Sequence, residues 1–199
     1  RPNVPLLLEL PSGRLNAEGS RELLHGLEGV LDRFQLHLGL RLPRIDVHAV
    51  QSPGAAHAAS NEPGALALEG QGGQPGWRLM VHEVPVAQGA MFGDGAPAAL
   101  SGAVHEALRR NASLFLGTQE TNHLLTRASV DLPDVVKETL RALPLARVAE
   151  ILRRLVEEEV AIRNLRDILE TLSDAAQREK DVFALTELVR IGLKRQLCY

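Results

Sequence analysis

The sequence predicts an α+β fold: a small β-α-β unit, then a β-hairpin, then helices to the end of the chain. Three observations carry this prediction. The first fifty residues read as strand, helix, strand. From residue 143 onward, apolar residues recur three times over at i, i+3, i+4 and i+7, the spacing of one buried helical stripe. Aromatics are only 3% of the 199 residues. The core must therefore rest on Leu, Val, Ile and Ala, which favours packed helices over an aromatic-rich sandwich.

Taken in order, Val4 to Leu10 is a short apolar run stopped by Pro11-Ser-Gly13 and reads as a buried strand. Ala17 to Leu38 is an amphipathic helix with Leu23, Leu27, Val30, Leu31, Phe34 and Leu38 on its inner face. Gly39 ends it, because glycine alone takes the left-handed conformation without steric penalty. Ile45 to Val50 reads as a half-exposed strand. The helical crossover allows it to lie parallel to the first. Gln51 to Gly76 is rich in Gly, Ala, Pro and Ser and reads as a boundary loop, with a short apolar piece at Ala65-Leu-Ala-Leu68. Trp77–His82 and Val84–Met91 form a hairpin around Glu83, and Pro85 confines the second strand to an edge. Gly93-Asp-Gly-Ala-Pro97 is a second break.

Helix returns at Ser101–Leu116, with Val104, Ala107, Leu108 and Phe115 inward. Gly117 interrupts it, and Thr118–Arg127 makes a short helix. Asp131 is placed to cap the next helix, with Pro133 in its first turn. Pro144 separates that helix from one over 145–159, Asn164 is placed to cap the following helix, and Lys180 starts the last. The three stripes are Val148, Ile151, Leu152, Leu155; Leu165, Ile168, Leu169, Leu172; and Leu185, Leu188, Val189, Leu193. None of these helices buries its stripe alone, so the three require one another. On the polar faces, Glu150–Arg154, Arg153–Glu157 and Arg154–Glu158 stand at i, i+4, each pair contributing about 0.2–0.5 kcal/mol.

A net charge of −3 gives no general pull toward nucleic acid. The single cysteine, Cys198, forms no internal disulfide and fits a reducing compartment. No run approaches the roughly 18 apolar residues that span a bilayer, and no signal peptide is visible. The seven histidines fall in no metal-ligand spacing. His82-Glu83 and His105-Glu106 begin like a zinc-protease motif but have Val86 and Arg109 where its second histidine belongs. Phosphate-cradling glycine loops and a nucleophile elbow are missing, and Glu157-Glu158-Glu159 is a solvated helix end. The residues point to no catalytic, cofactor or metal site.

Four collinear blocks resemble a known family. They are Leu143 to Leu172, Arg178 to Leu197, Phe115-Leu-Gly-Thr-Gln-Glu-Thr-Asn-His-Leu-Leu125 and Val81-His-Glu-Val-Pro-Val-Ala-Gln-Gly89. Together they resemble the cytoplasmic domain of the type III secretion export-gate proteins, the FlhA/LcrD/InvA/SctV or FHIPEP family. Glu83 to Gly89 leans toward the virulence (injectisome) branch. The resemblance implies a first subdomain over 1–50 and 101–130, a shortened β-rich insertion over 51–100, and a helical subdomain over 131–199 like the ring-building modules of secretion machines. The family's fourth subdomain lies beyond Tyr199, and its long stretch between hairpin and returning helix is reduced here to Gly93–Gly102.

By the same resemblance, the parent protein is held in the inner membrane by a preceding region, with this part on the cytoplasmic face. Its copies form a ring, a nonamer in the full protein. The ring receives chaperone–substrate complexes and a gatekeeper, works beside other export-apparatus proteins, and needs no cofactor. Arg147, Glu150, Arg154, Glu157, Glu158, Arg163 and Arg166 are the expected rim of the contact between copies. Chaperones dock in the family between the first subdomain and the insertion, where Trp77, Leu79, Val84, Val86 and Phe92 are the candidates by position. The alternative is a free-standing helical adaptor domain, monomeric or a two-fold dimer.

Overall fold

A computed structural model describes residues 5–51, 76–91 and 96–197. Its contacts divide it into two compact units: 1–32 with 43–109, and 33–42 with 110–199. The first boundary falls inside one continuous helix.

Unit 1 is a four-stranded sheet with helices. Strand β1 (Leu6–Pro11) pairs parallel with β2 (Asp46–Val50), Leu7 opposite Asp46 and Leu10 opposite Ala49. Helix α1 (Ala17–Leu38) makes the crossover with the bounds its periodicity predicts. On the other side of β1 lies β3 (Gly76–Val81), antiparallel, followed by β4 (Val84–Ala90), so the order is β2-β1-β3-β4. The hairpin expected in an insertion of its own thus continues the first sheet. The reason is its apolar alternation: Leu79 and Val81 are buried on β3 as Leu6, Leu8 and Leu10 are on β1. Pro85 sits on the edge strand as expected, beside a bulge at Leu79/Met80. The two-residue turn is His82-Glu83, both at positive φ (48° and 67°), as a type I′ hairpin requires.

Helix α2 (Ala96–Arg110) starts five residues before the expected Ser101 and ends before a 3-10 turn over Ala112–Phe115. Pro97 is tolerated near the start because its missing N–H would have had no helical partner there. Within unit 1, α1 and α2 approach most closely at Gly26, where a β-carbon would collide with Ser101 Oγ. That hydroxyl is buried and donates to Pro97 O at 2.9 Å.

In unit 2, α3 (Thr118–Asp131), α4 (Pro133–Ala142), α5 (Leu145–Glu157), α6 (Leu165–Ala175) and α7 (Val182–Leu197) form a bundle. Each of the five packs on two others, in the cyclic order α3, α4, α6, α7, α5. Val148, Ile151, Leu152, Leu155, Ile168, Leu169, Leu172, Leu185 and Val189 are buried, as the stripes predict. Leu188 departs from its stripe and is 41% exposed. Buried Thr139 donates to Val135 O at 2.8 Å and reaches Leu169 O at 3.1 Å, tying α4 to α6.

Two caps differ from expectation. Asp131 closes α3, and Leu132 holds the N-cap of α4 with no side-chain bond, because α3 runs on past Arg127. Asp181, one residue after Lys180, caps α7 by accepting from Ala184 N at 2.9 Å. Lys180 instead donates to Ala142 O at 3.0 Å, satisfying a carbonyl at the end of α4. Asn164 caps α6 as expected, accepting from Asp167 N. The end of α5 carries a Schellman pattern, Val160 N to Leu155 O at 2.8 Å and Glu159 N to Val156 O at 3.0 Å, with Glu159 at φ 59°.

The last turn of α1 also belongs to unit 2. Gly39 takes φ 71° and donates to Gln35 O at 3.1 Å, closing the helix as its sequence predicts. Against it lies the 158–164 turn: Ile162 N donates to Leu38 O at 2.8 Å and Arg163 Nη1 to Leu36 O at 2.8 Å. A β-carbon on Gly39 would stand 2.6 Å from the backbone of Arg163.

Candidate functional site

Arg147, Glu150 and Arg154 of α5 recur at i, i+3 and i+7, so the fold lines them up along one side of the helix. Glu150 lies between Arg147 at 3.4 Å and Arg154 at 3.6 Å. The ladder then turns to the neighbouring helix. Arg154 stacks its guanidinium over the ring of Phe183, 3.8 Å from the centroid, a cation–π contact from α5 to α7. Its Nε is buried without a hydrogen-bond partner, so the ring face is a main contact of that edge of the side chain. Phe183 remains 64% exposed. Glu158 pairs with Arg190 of α7 at 2.7 Å, and Arg190 also reaches Glu187.

Of the seven expected rim residues, Arg147, Glu150, Arg154 and Glu158 thus stand on the α5–α7 side around Phe183. Glu157 is exposed at the end of α5. Two lie apart: Arg163 is drawn to the end of α1, and Arg166 pairs along α6 with Glu170 at 3.8 Å. Two expected i, i+4 pairs do not form. Arg153 points inward to Leu116 O at 2.9 Å, and Glu158 turns to Arg190 in place of Arg154. A carbonyl left open by the 3-10 turn and a cation on the next helix each offer a partner that the intrahelical one cannot match. Sequence reasoning missed Phe183, which lies one residue outside its helix's apolar stripe. The signal available was the stack itself, an arginine and a phenylalanine 29 positions apart, which only packing reveals.

The docking candidates divide by the pleat of the hairpin. Leu79 is fully buried and Trp77 nearly so, and both belong to the core of the sheet unit, the packing that the apolar alternation of the hairpin favours for them. Their side chains share the inner face with Val81 because residues two apart on a strand point to the same side. The indole of Trp77 lies across Gly89 of β4, where a β-carbon would meet it at 2.8 Å. Val84 is 60% exposed and Val86 half-buried on the edge strand. Phe92 falls outside the described residues, as do the apolar piece 65–68, the break at 93–95 and Cys198. A cavity of about 600 Å³ opens elsewhere in unit 1, lined by Leu10, Leu15, Leu23, Leu24, Val47 and Ala49 among others. None of the hairpin candidates lines it. Among the described residues, no group of three or more His, Cys, Asp or Glu is placed to hold a metal ion, and no helix is long and apolar enough to cross a membrane.

The α5–α7 side thus carries paired charges and, under the Arg154 guanidinium, one exposed aromatic ring. Comparison with known proteins defines the family. The chain belongs to the FHIPEP family, whose model matches residues 86–199. It is 47% identical over 96 residues to the probable translocation protein y4yR of Sinorhizobium fredii, which covers 48% of this chain and 14% of that one. It is 41% identical over 125 residues to the hypersensitivity response secretion protein HrcV of Ralstonia nicotianae, covering 63% and 18%. The chain therefore spans less than a fifth of either relative's length. The second name fits the virulence branch read from Glu83–Gly89.

Among solved structures, the Shigella flexneri MxiA protein superimposes with a TM-score of 0.71 at 26% identity, over 98% of this chain and 65% of that one. The nonameric EPEC SctV-C gives 0.76 at 23%, over 99% and 68%. CdsV in the Chlamydia pneumoniae CdsV–CdsO complex gives 0.75 at 23%, over 99% and 69%. The fold is that of these cytoplasmic domains, an α+β architecture.

Proposed function

We propose that this chain is a cytoplasmic module of a type III secretion export gate, one that assembles with copies of itself and receives cargo-bearing partners at the hairpin edge. The observation that carries the proposal is the family match over residues 86–199, which takes in the whole helical bundle. The nonameric state of the similarly folded SctV-C supports a ring for this chain. The Arg147–Glu150–Arg154 ladder beside Phe183 supplies the rim of the contact between copies. Arg163 and Arg166 act elsewhere on the bundle. Chaperone–substrate and gatekeeper complexes dock against Val84 and Val86 on the edge strand, and a CdsO-like protein is a further partner. The module sits at the cytoplasmic face of the inner membrane, where the parent protein is anchored.

Charge reversal at Arg147 and Arg154 (R147E/R154E) tests the assembly reading. The double variant should keep its helical circular dichroism and lose about tenfold or more in self-association by sedimentation, since rim charges steer and register contacts between proteins. Rings that persist unchanged at every salt concentration would remove the ladder from the interface. Species that stop at a two-fold dimer would favour the adaptor alternative. For docking, Val84→Asp and Val86→Asp should weaken pull-down of a cognate secretion chaperone, and folded variants that retain it would remove the hairpin edge.

A further inference from the structure

The sheet of unit 1 has two edges, and they are built differently. The β4 edge is guarded: Pro85 has no N–H to offer, and the bulge at Leu79/Met80 shifts the register beside it. The β2 edge carries neither device. Asp46–Val50 contains no proline and pairs with β1 without a shift of register. Among the described residues no strand lies on its other side. Along a strand, the N–H and C=O of one residue point to one side and those of the next residue to the other. Ser12 N donates to Val50 O at 2.9 Å, so the backbone groups of Val50 and His48 face β1. Those of Val47 and Ala49 therefore face away from the sheet.

The cavity of about 600 Å³ lies along this same edge. It runs from Arg44 and Ile45 at the start of β2 to Gly13 and Leu15 just past its end. Val47 and Ala49 line it from the sheet and Leu24 from α1. Leu24 is 47% exposed, an apolar side chain that the unit's own core leaves uncovered. A row of outward backbone donors and acceptors beside an apolar trough is matched by an extended polypeptide, which satisfies the first and fills the second. The ends of the trough are cationic. Arg44 has a side chain 90% exposed and meets Asp46, the one acidic lining residue, at 4.0 Å. Arg14 is exposed between the lining residues Gly13 and Leu15.

We propose that β2 is a docking edge for an extended segment of a partner polypeptide, which joins the sheet as a fifth strand. The segment matches the five residues of Asp46–Val50, about 16 Å. Its alternate apolar side chains cover Leu24 and the cavity, and its flanking carboxylates meet Arg14 and Arg44. The site is separate from the hairpin edge, since β2 and β4 are the two outermost strands.

The probe is a capped, fluorescently labelled peptide, Asp-Val-Thr-Val-Thr-Val-Asp, titrated with the full 199-residue chain by anisotropy. At saturation, amide hydrogen exchange should slow about tenfold or more at Val47 and Ala49 and stay unchanged at Val84 and Val86. Ala49→Pro removes an outward N–H, leaves the bonds to β1 in place, and should weaken binding about tenfold or more. Leu24→Asp, on an exposed position that the fold does not need, should do the same, whereas V84D/V86D should have no effect. Arg44→Glu should weaken binding several fold, and less so at high salt. Two further peptides, N-methylated at one or the other set of alternate residues, distinguish strand addition from apolar adhesion: one set should bind and the other fail. Equal behaviour of the two sets, undiminished binding by folded A49P and L24D, or no saturable binding up to about 1 mM would overturn the proposal. A two-fold dimer that A49P abolishes, with no peptide uptake, would do so too, by assigning the edge to a second copy.

Discussion

The two units reach the same end, a dry aliphatic core, by different routes. In unit 2 every helix brings its own stripe, and the packing partners lie close in sequence: α3 beside α4, and α6 beside α7. In unit 1 the sheet is assembled from strands far apart, with β1 between β2 and β3 and residues 51–75 intervening. Helix periodicity alone tells which side of α5 is inside. It cannot tell that β3 will lie against β1. The bundle is therefore specified locally and tolerates changes on its outer faces. The sheet unit depends on a few places where a missing side chain makes room for a neighbour's, Gly26 for Ser101 and Gly89 for the indole of Trp77.

The largest effect expected is at the edge of the bundle, where unit 2 borrows the same device. Gly39→Ala places a β-carbon against the Arg163 backbone and forces a left-handed residue. It should cost about 3 kcal/mol in urea denaturation, the left-handed penalty and the overpacking together. A loss below 1 kcal/mol would mean that the 158–164 turn yields easily.

Next comes a pair within α1. Gly26→Ala should destabilise by about 2 kcal/mol, because it displaces the buried Ser101 hydroxyl from its bond to Pro97 O. Gly29→Ala, three residues on in the same helix with nothing within 4 Å, should stabilise by up to about 1 kcal/mol. Equal effects at the two sites would dissolve the distinction between close approach and helix propensity. Smallest is Glu83→Gly. Relieving a left-handed glutamate in the hairpin should raise stability by about 1 kcal/mol, read as a higher thermal midpoint.

Much of this was open to reading from residue order. The bounds of α1, the Gly39 stop, the hairpin turn at residues 82–83, the Pro85 edge, the Pro144 break and the Asn164 cap all follow from local chemistry. The start of α2 was misplaced because Pro97 looks like a breaker where it is a first-turn residue. The cap of α4 moved from Asp131 to Leu132 because α3 runs on through Asp131, and α7 starts at Val182, two residues past Lys180, because Asp181 caps it. Of the charged ladder on α5, Arg147, Glu150 and Arg154 could be named from spacing. Phe183 could not, because its importance lies in which helix happens to stand beside it. Trp77 and Leu79 suit the core by their alternation, and the pairing of β3 with β1 places them inside.

Sequence by itself settled the class of fold, the order and type of nearly every element, the sides of the helices that are buried, and through its motifs the family. These depend on periodicity and on backbone preferences that act over a few residues. Tertiary structure alone decided that the hairpin joins the first sheet, that Arg154 leaves Glu158 for Phe183, and that Glu158 pairs with Arg190 of α7. Those outcomes depend on distances between residues far apart in the chain, which only closing the core can set.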